Sequence, residues 1–341
     1  MSRATIKDVA DAAGVSIATV SRVLNDRGGA TATAQTVRDA AERLGYAPNA
    51  LARMLITQKS MTIGLLQPAL SSSFAGQVLD GVEDAAQELG YSVLICSTGS
   101  HSARLEHYLR LLASRQVDAA IVMSSRISGD QHRLFRSLAL PYVVVAGTTS
   151  GAGVPVFAID GQQAATDATA ALIAAGHTRI GMVAGEADDP VAGEPRVRGF
   201  VAACAAAGIQ AKDRPVEHGD FAYDSGLAAT RRLLDQHPGL TAVFAASDEM
   251  AVAAIAVADE RGLRVPDDLS VVGFDDLPVA RWVGPTLTTV RQPLKEMART
   301  ATELVIRMAA GEEPPQTRLE LATEMVVRES TAAPARVAAI V

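Results

Sequence analysis

From Met61 onward, short apolar runs alternate with longer stretches of helical period, and few folds satisfy that pattern. Strands are expected at 62–66, 92–96, 119–123, 142–145, 179–183, 242–245 and 270–273. Helices are expected between them, at 75–89, 104–114, 134–139, 197–207, 225–236, 248–261 and 294–310. A run of about five apolar residues without polar alternation has both faces buried, as in a parallel sheet covered by helices. Roughly eight or more strands over about 270 residues suit either two doubly wound sheets or one closed barrel. Two open sheets would leave a cleft between them, with ligand loops at the strand ends.

At 341 residues the chain should hold two or three folding units. Only 4% of it is aromatic, so its cores should be mostly aliphatic. The net charge of −7 argues by itself against nucleic-acid binding. Its distribution reverses that. Residues 1–60 carry eight Lys/Arg against five Asp/Glu, a net +3, which leaves −10 for the rest. A basic head on an acidic body suits a module that meets phosphate while the body stays off it. Cys96 and Cys204 stand alone in apolar runs and are expected to be buried free thiols. With no secretory apolar segment and no run of roughly 18 apolar residues, a cytoplasmic protein is expected.

The basic head contains the most specific stretch, Thr5 to Asn25. Thr5 with Asp8 three residues later matches a capping box and should open a helix. Gly14 supplies a left-handed turn that would cost another residue about 1–2 kcal/mol. Ser16 suits the N-cap of a second helix, and Val15, Val20 and Val23 would pack between the two. Ile17, Ala18, Ser21 and Arg22 are left on the outer face, as a recognition helix in a major groove requires. An amphipathic hairpin without a nucleic-acid role fits the same spacing. A third helix should run through Val37, Ala40 and Ala41 to end at Gly45. After Pro48, Asn49 could cap a helix of half a dozen residues, 50–55. That is far below the length of about 12 residues at which a helix is stable alone, so it should order only against a partner.

Chemistry-bearing motifs are few. Gly151 and Gly153 open no helix and make no phosphate cradle, and no metal-ligand spacing occurs, so no cofactor and no metal are expected. His177 and His218 lie near turns and read as surface residues. Asp248 and the pair Asp275–Asp276 follow strands. They suit helix caps, paired acids for hydrolysis, or acceptors for ligand hydroxyls, but no nucleophile or base accompanies them.

The stretch Thr5–Asn25 closely resembles the headpiece of the lactose-repressor/galactose-repressor (LacI/GalR) family, and Tyr46–Leu55 resembles its hinge. Arg196 with Gly199–Phe200, the run Ala246–Ala251, the run Val271–Asp276 and the run Leu287–Pro293 match the family in order over about residues 5–330. The resemblance implies a sequence-specific transcriptional regulator, expected to be a repressor, whose body has the periplasmic-binding-protein fold: two doubly wound subdomains joined by three crossovers, with a small-molecule effector between them. It implies a helix-turn-helix headpiece at 1–46, a hinge and linker at 47–60, a body at 61–330 and a tail at 331–341. The N-subdomain would take 61–159 and 291–322, and the C-subdomain 160–290 and 323–330.

Position by position, Ile17, Ala18 and Arg22 would read base edges of a palindromic operator, with Ser16, Thr19, Ser21 and Asn25 nearer phosphate. Thr5, Asn49 and Ala52 join the DNA-contacting set, and Leu55 would wedge into the minor groove. Arg196, Asp248, Asp275 and Phe221 match cleft positions, with Phe74, Asp160 and Trp282 as further candidates. An aromatic face with carboxylates and an arginine suits a sugar- or nucleoside-like ring. Two departures bear on this. Residues 30–36 lack the arginine that usually opens the third helix, and Ala146–Gly147 replaces an acid that many relatives place near the ligand. The latter argues against a simple hexose. Without a long C-terminal heptad repeat, a homodimer is expected. A transporter's solute-binding protein shares the body but needs export, and an enzyme would need the missing nucleophile.

Overall fold

The computed structural model describes residues 4–24, 31–46, 59–69, 72–99, 102–114, 117–124, 126–314 and 317–334. The chain divides into two compact units, Met1–Ser60 and Met61–Val341.

The first unit contains α1 (Ile6–Ala13), α2 (Ile17–Leu24) and α3 (Ala32–Arg43). Thr5 and Asp8 form the capping box: the Thr5 N–H donates to Asp8 Oδ2 at 2.7 Å, and Thr5 Oγ1 accepts the Asp8 N–H at 3.4 Å. Gly14 closes α1 in the left-handed region, at φ 63° and ψ 31°. Ser16 Oγ then accepts the Thr19 N–H at 3.2 Å and starts α2. The helices bury Val9, Ala10, Val20, Val23, Val37 and Ala40 in one small aliphatic core. Asn25, Asn49, Ala52 and Leu55 lie outside the described residues, as does the short helix expected at 50–55.

The second unit begins with β1 (Thr62–Gln67), α4 (Ser73–Glu88), β2 (Ser92–Ser97), α5 (Ser102–Ala113) and β3 (Ala119–Met123). There follow β4 (Arg126–Ile127), α6 (Gly129–Ser137), β5 (Tyr142–Val145), β6 (Thr148–Thr149) and β7 (Val156–Ala158). The chain continues through α7 (Gly161–Ala174), β8 (Ile180–Ala184), α8 (Gly193–Ala206), β9 (Val216–His218), α9 (Tyr223–Gln236) and β10 (Ala242–Ala245). Its last elements are α10 (Asp248–Glu260), β11 (Ser270–Asp275), β12 (Thr288–Arg291), α11 (Leu294–Ala309), β13 (Arg318–Glu320) and β14 (Glu324–Val326).

Among the described residues these strands make two open six-stranded sheets, with β4 and β6 paired in a separate two-stranded ribbon, and no closed barrel. One is ordered β2-β1-β3-β5-β7-β13 and is parallel throughout. The other is ordered β9-β8-β10-β11-β12-β14, parallel except for β14. Alternation along each strand explains why both faces must be covered. In β3, Ala119, Ile121 and Met123 pack with α4 and α11, while Ala120 and Val122 pack with α5 and α6. The chain passes between the sheets three times, after β7, after β12 and after β13. At the third passage the Leu321 N–H donates to Ala158 O at 2.9 Å, which ties it to the first.

Several elements differ from expectation. Helix α7 was not anticipated, because its buried residues are mostly alanines and give little periodic contrast. Asp160 caps it by accepting the Gln163 N–H at 2.9 Å. It lies close against α8 at Gly199, where an added Cβ would stand 2.1 Å from Gln162 O. Helix α6 starts at Gly129 rather than 134, fixed by a capping box between Ser128 and Gln131. The short strands β7, β9, β12, β13 and β14 fall below the length that periodicity resolves.

His177, expected at the surface, is buried. Its Nδ1 lies 2.8 Å from Thr241 Oγ1 and its Nε2 2.9 Å from Ala332 O, so it fastens the C-terminal segment to the second sheet. Burial holds its pKa below the ordinary imidazole value. His218 is exposed, and both cysteines are buried and free.

Replacing Gly14 with alanine should cost the first unit about 1–2 kcal/mol through its left-handed backbone. Hydrogen exchange on the full chain should then show faster exchange of amides in 6–24, with the second unit unchanged.

Candidate functional site

Two surfaces gather the residues singled out above. On the first unit, α2 turns Ile17, Ala18 and Arg22 outward, with Ile17 49% exposed. Thr19 and Ser21 are half-buried beside them, and Ser16 Oγ and Thr19 Oγ1 lie 2.9 Å apart. Thr5 is exposed at the start of α1. The helix thus presents an apolar residue, a methyl, hydroxyls and a guanidinium on one short face, while Val20 and Val23 hold its other side in the core.

The second surface is a cleft of about 930 Å³ in the second unit, walled by the carboxyl ends of both sheets. Phe74, Asp160, Arg196, Phe221 and Asp275 all line it. Two candidates do not. Asp248 is fully buried beneath the cleft, where its Oδ2 accepts the Leu277 N–H at 2.6 Å and its Oδ1 accepts from Thr289 Oγ1 at 2.5 Å. It is the first residue of α10, and Gly273 leaves room for it: a Cβ there would meet Asp248 Oδ1 at 2.3 Å. Trp282 is 78% exposed and borders a separate depression of about 410 Å³ with Arg281 and Lys295.

Arg196 and Asp275 form the charged floor. The Arg196 guanidinium lies 3.8 Å from the Phe274 ring centroid and 5.7 Å from that of Phe221. It donates to Ala246 O and stands 3.8 Å from Asp275 Oδ1, and its buried Nε has no partner among the described residues. Asp275 accepts from Gln292 Nε2 at 2.5 Å. Burial pushes the Asp275 carboxyl up to about 6 against the pull of Arg196 and Gln292. Burial also pushes Asp248 up to about 8, with the Asp275 charge adding to the effect. At Asp276 burial acts in the same direction, but hydrogen bonds from Arg291 and Arg328 outweigh it and leave that carboxyl below its ordinary value.

Backbone strain collects at the same edge. Ser124, Ala146, Phe221, Asp275 and Asp276 all have positive φ, from 47° to 116°, a conformation that disfavours side-chain-bearing residues. Ser124 and Ala146 follow strands of the first sheet, and Asp275 ends β11 of the second with Asp276 just beyond it. The Phe221 ring sits over Gly185, where a Cβ would come within 2.0 Å of it. Ser247 Oγ donates to Phe221 O at 2.7 Å and holds that turn.

Three of the lining residues that the sequence did not single out shape the site most directly. Asp189 receives the Val191, Ala192 and Gly193 N–H groups at 2.9, 3.0 and 2.9 Å, capping the start of α8 and so placing Arg196 one turn further on. An Asp followed by Pro190 was its only local signal. Gln292 lies at the second passage between the sheets, and Arg126 on β4 at the cleft rim. No group of three or more His, Cys, Asp or Glu among the described residues is placed to hold a metal ion.

A helix-turn-helix unit with an exposed second helix, joined to a two-sheet body with a cleft, defines a ligand-binding regulator of DNA. Residues 5–49 match the model of bacterial regulatory proteins of the lacI family, and residues 169–331 match a periplasmic binding protein-like domain. The chain is 35% identical over 328 residues to catabolite control protein A of Priestia megaterium, covering 96% of this chain and 99% of that one. It is similar to the solved complex of the transcriptional regulator CelR with cellobiose, at 36% identity and TM-score 0.73, covering 96% of this chain and 100% of that one. It is also similar to the lac repressor dimer bound to operator and the anti-inducer ONPF, at 26% identity and TM-score 0.86, covering 97% and 100%. The chain belongs to the lacI family and is a DNA-binding transcriptional regulator with a small-molecule-binding body.

The raised carboxyls carry a pH signature. A carboxyl whose folded pKa lies above its unfolded value keeps a proton that the unfolded chain releases, so stability falls as pH rises between the two values. Asp248 should impose that fall from about pH 4 to about pH 8, and Asp275 should add to it up to about pH 6. Asp248→Asn keeps an acceptor for Leu277 and a donor for Thr289 while removing the titration. Thermal melts between pH 5 and 8 should therefore decline less in the variant than in the parent chain.

Proposed function

We propose that this regulator is a repressor that binds a palindromic operator as a homodimer in the cytoplasm, under the control of a sugar- or nucleoside-like effector in its cleft. The observation that carries the reading is the α2 face: Ile17, Ala18 and Arg22 exposed on a helix whose entry is fixed by Gly14. Arg22 would pair with guanine O6/N7 and the two apolar residues would meet thymine methyls, while Thr5, Ser16, Thr19, Ser21 and Asn25 would hold phosphate. Asn49, Ala52 and Leu55 would form the hinge, with Leu55 as the minor-groove wedge. A palindrome read by one module per half-site requires two-fold symmetry, and a relative is solved as a dimer on operator.

In the body, Phe221 would stack on a ring, and Arg196, Asp275 and Asp160 would take its hydroxyls, with Phe74 on the opposite wall. CelR is solved with cellobiose, which supports a carbohydrate ligand class. The body would divide into subdomains at 61–159 with 291–322 and at 160–290 with 323–330, a division that the three passages between the sheets support. A ligand gripping both would change their mutual angle and bias the hinge between ordered and disordered forms. An enzymatic reading finds little support, since Asp248 and Asp276 are engaged by Leu277, Thr289 and arginines rather than free to act.

Operator selection from random duplexes with the full chain, at fixed salt, tests the reading. A palindromic site should emerge, and Arg22→Ala should weaken it by about 1–3 kcal/mol and relax one position. Leu55→Ala should weaken binding without changing the selected sequence. Salt-sensitive binding with no selected sequence, persisting when metabolite extract is added, would overturn it.

A further inference from the structure

The two walls of the cleft differ in charge. Among the described residues, the wall built by the first sheet carries Arg126 and Arg318 and no carboxylate. The wall built by the second sheet carries Glu186, Asp189, Asp220, Glu249 and Asp275 against Arg196 and Arg198, and Asp160 stands at the first passage between the two walls. A ligand spanning both walls therefore meets a positive side and a negative side.

Arg126 is the better placed of the two first-wall arginines. It sits on β4, paired in register with Thr148 of β6. Its strand neighbour Ile127 is fully buried in the core under the first sheet, and side chains alternate along a strand, so Arg126 points the opposite way, to the cleft. Thr148 lines the cleft with it, while Thr149 Oγ1 turns back to accept the Gly151 N–H at 3.0 Å. Below the ribbon, the Tyr142 hydroxyl lies 3.5 Å from Thr149 Oγ1 and is itself held by His132 Nδ1 at 2.9 Å, with its ring stacked on Phe135 at 3.8 Å. Arg126 is exposed and has no hydrogen-bond or ion-pair partner among the described residues. Arg318, by contrast, is bound to Glu320 at 2.7 Å. An unengaged guanidinium on a braced ribbon, beside a hydroxyl, is built to receive an oxyanion bidentately.

We propose that the effector is a hydroxylated ring bearing one anionic group, a carboxylate or a phosphate, and that Arg126 is the residue that reads the anion. This rests on the cleft being the effector site. The ring's hydroxyls face the acidic wall, where carboxylates accept from them, and the anion faces Arg126 and Thr148. The same arrangement disfavours an anion on the other end, which Glu249 and Asp275 would repel.

The test is native mass spectrometry of the full chain with an equimolar pool of neutral aldohexoses, hexuronates, aldonates, hexose phosphates and nucleosides, followed by calorimetry on whichever bind. Anionic sugars should be retained over their neutral parents by about tenfold or more, a charge-assisted pair's worth, with the carboxylates and phosphates telling the two anions apart. Arg126→Gln, at an exposed position, should reduce that preference to about threefold or less, the anionic sugar losing more affinity than its neutral parent. Equal retention of neutral and acidic sugars overturns the proposal and leaves the effector site intact. So does a preference that survives Arg126→Gln, or an equal loss of both ligand types, which would make Arg126 a closing contact between the walls. Nucleosides as the sole bound class overturn it in the same way. Retention of nothing overturns both the proposal and the ligand class on which it rests.

Discussion

Taking the Arg196 guanidinium out of water costs several kcal/mol unless neighbouring groups replace its hydration, and the second sheet is arranged around that requirement. The Phe274 face, Ala246 O and Asp275 each meet part of it, from the ends of β11 and β10. Asp275 in turn needs Gln292, which lies at a passage between the sheets. Beneath them Asp248 has no cation of its own and relies on Leu277 and Thr289. The charged floor of the cleft is thus continuous with the chain segments that join its walls. Among the described residues, the unpartnered Arg196 Nε is the point at which this compensation is incomplete.

Strain is distributed with the same logic. Four side-chain-bearing residues with positive φ line the cleft, on both sheets and on the Phe221 turn, and Asp276 follows directly after one of them. Each such residue costs of order 1 kcal/mol or more, and such conformations persist only where the surroundings fix them. Here the fixing groups are identifiable: Ser247 holds Phe221 O, and the arginines around Asp276 hold the end of β11.

How much of this the sequence displayed depends on the kind of signal. Thr5, Asp8, Gly14 and Ser16 act through backbone rules that operate within four residues, so the headpiece turn was legible in detail. Strands such as Ala119–Met123 and Tyr142–Val145 were legible because burial on both faces leaves an unbroken apolar run. Helix α7 was not, since alanine on its buried side contrasts too little with alanine elsewhere. His177 looked like a turn residue because its partners, Thr241 and Ala332, are 64 and 155 positions away. Asp248 and Asp275 both follow strands in sequence, and only the tertiary placement of Gly273 and Leu277 turns one inward while the other lines the cleft. Trp282 matched on type and neighbourhood, but the four-residue helical turn before it carries it to the outside.

The wall asymmetry gives the cleft a directional demand that a list of lining residues would miss. Hydroxyl groups are tolerant ligands, since they donate to carboxylates and accept from arginines with equal ease. A cleft selecting only for hydroxyls would have no reason to segregate its charges. Segregation instead favours a ligand whose own groups are segregated, with donors at one end and acceptors at the other. It also couples recognition to geometry, because a ligand with two unlike ends satisfies both walls only when they stand at one separation. In a body whose walls are joined by three short passages, that separation is the variable a regulator needs its ligand to set.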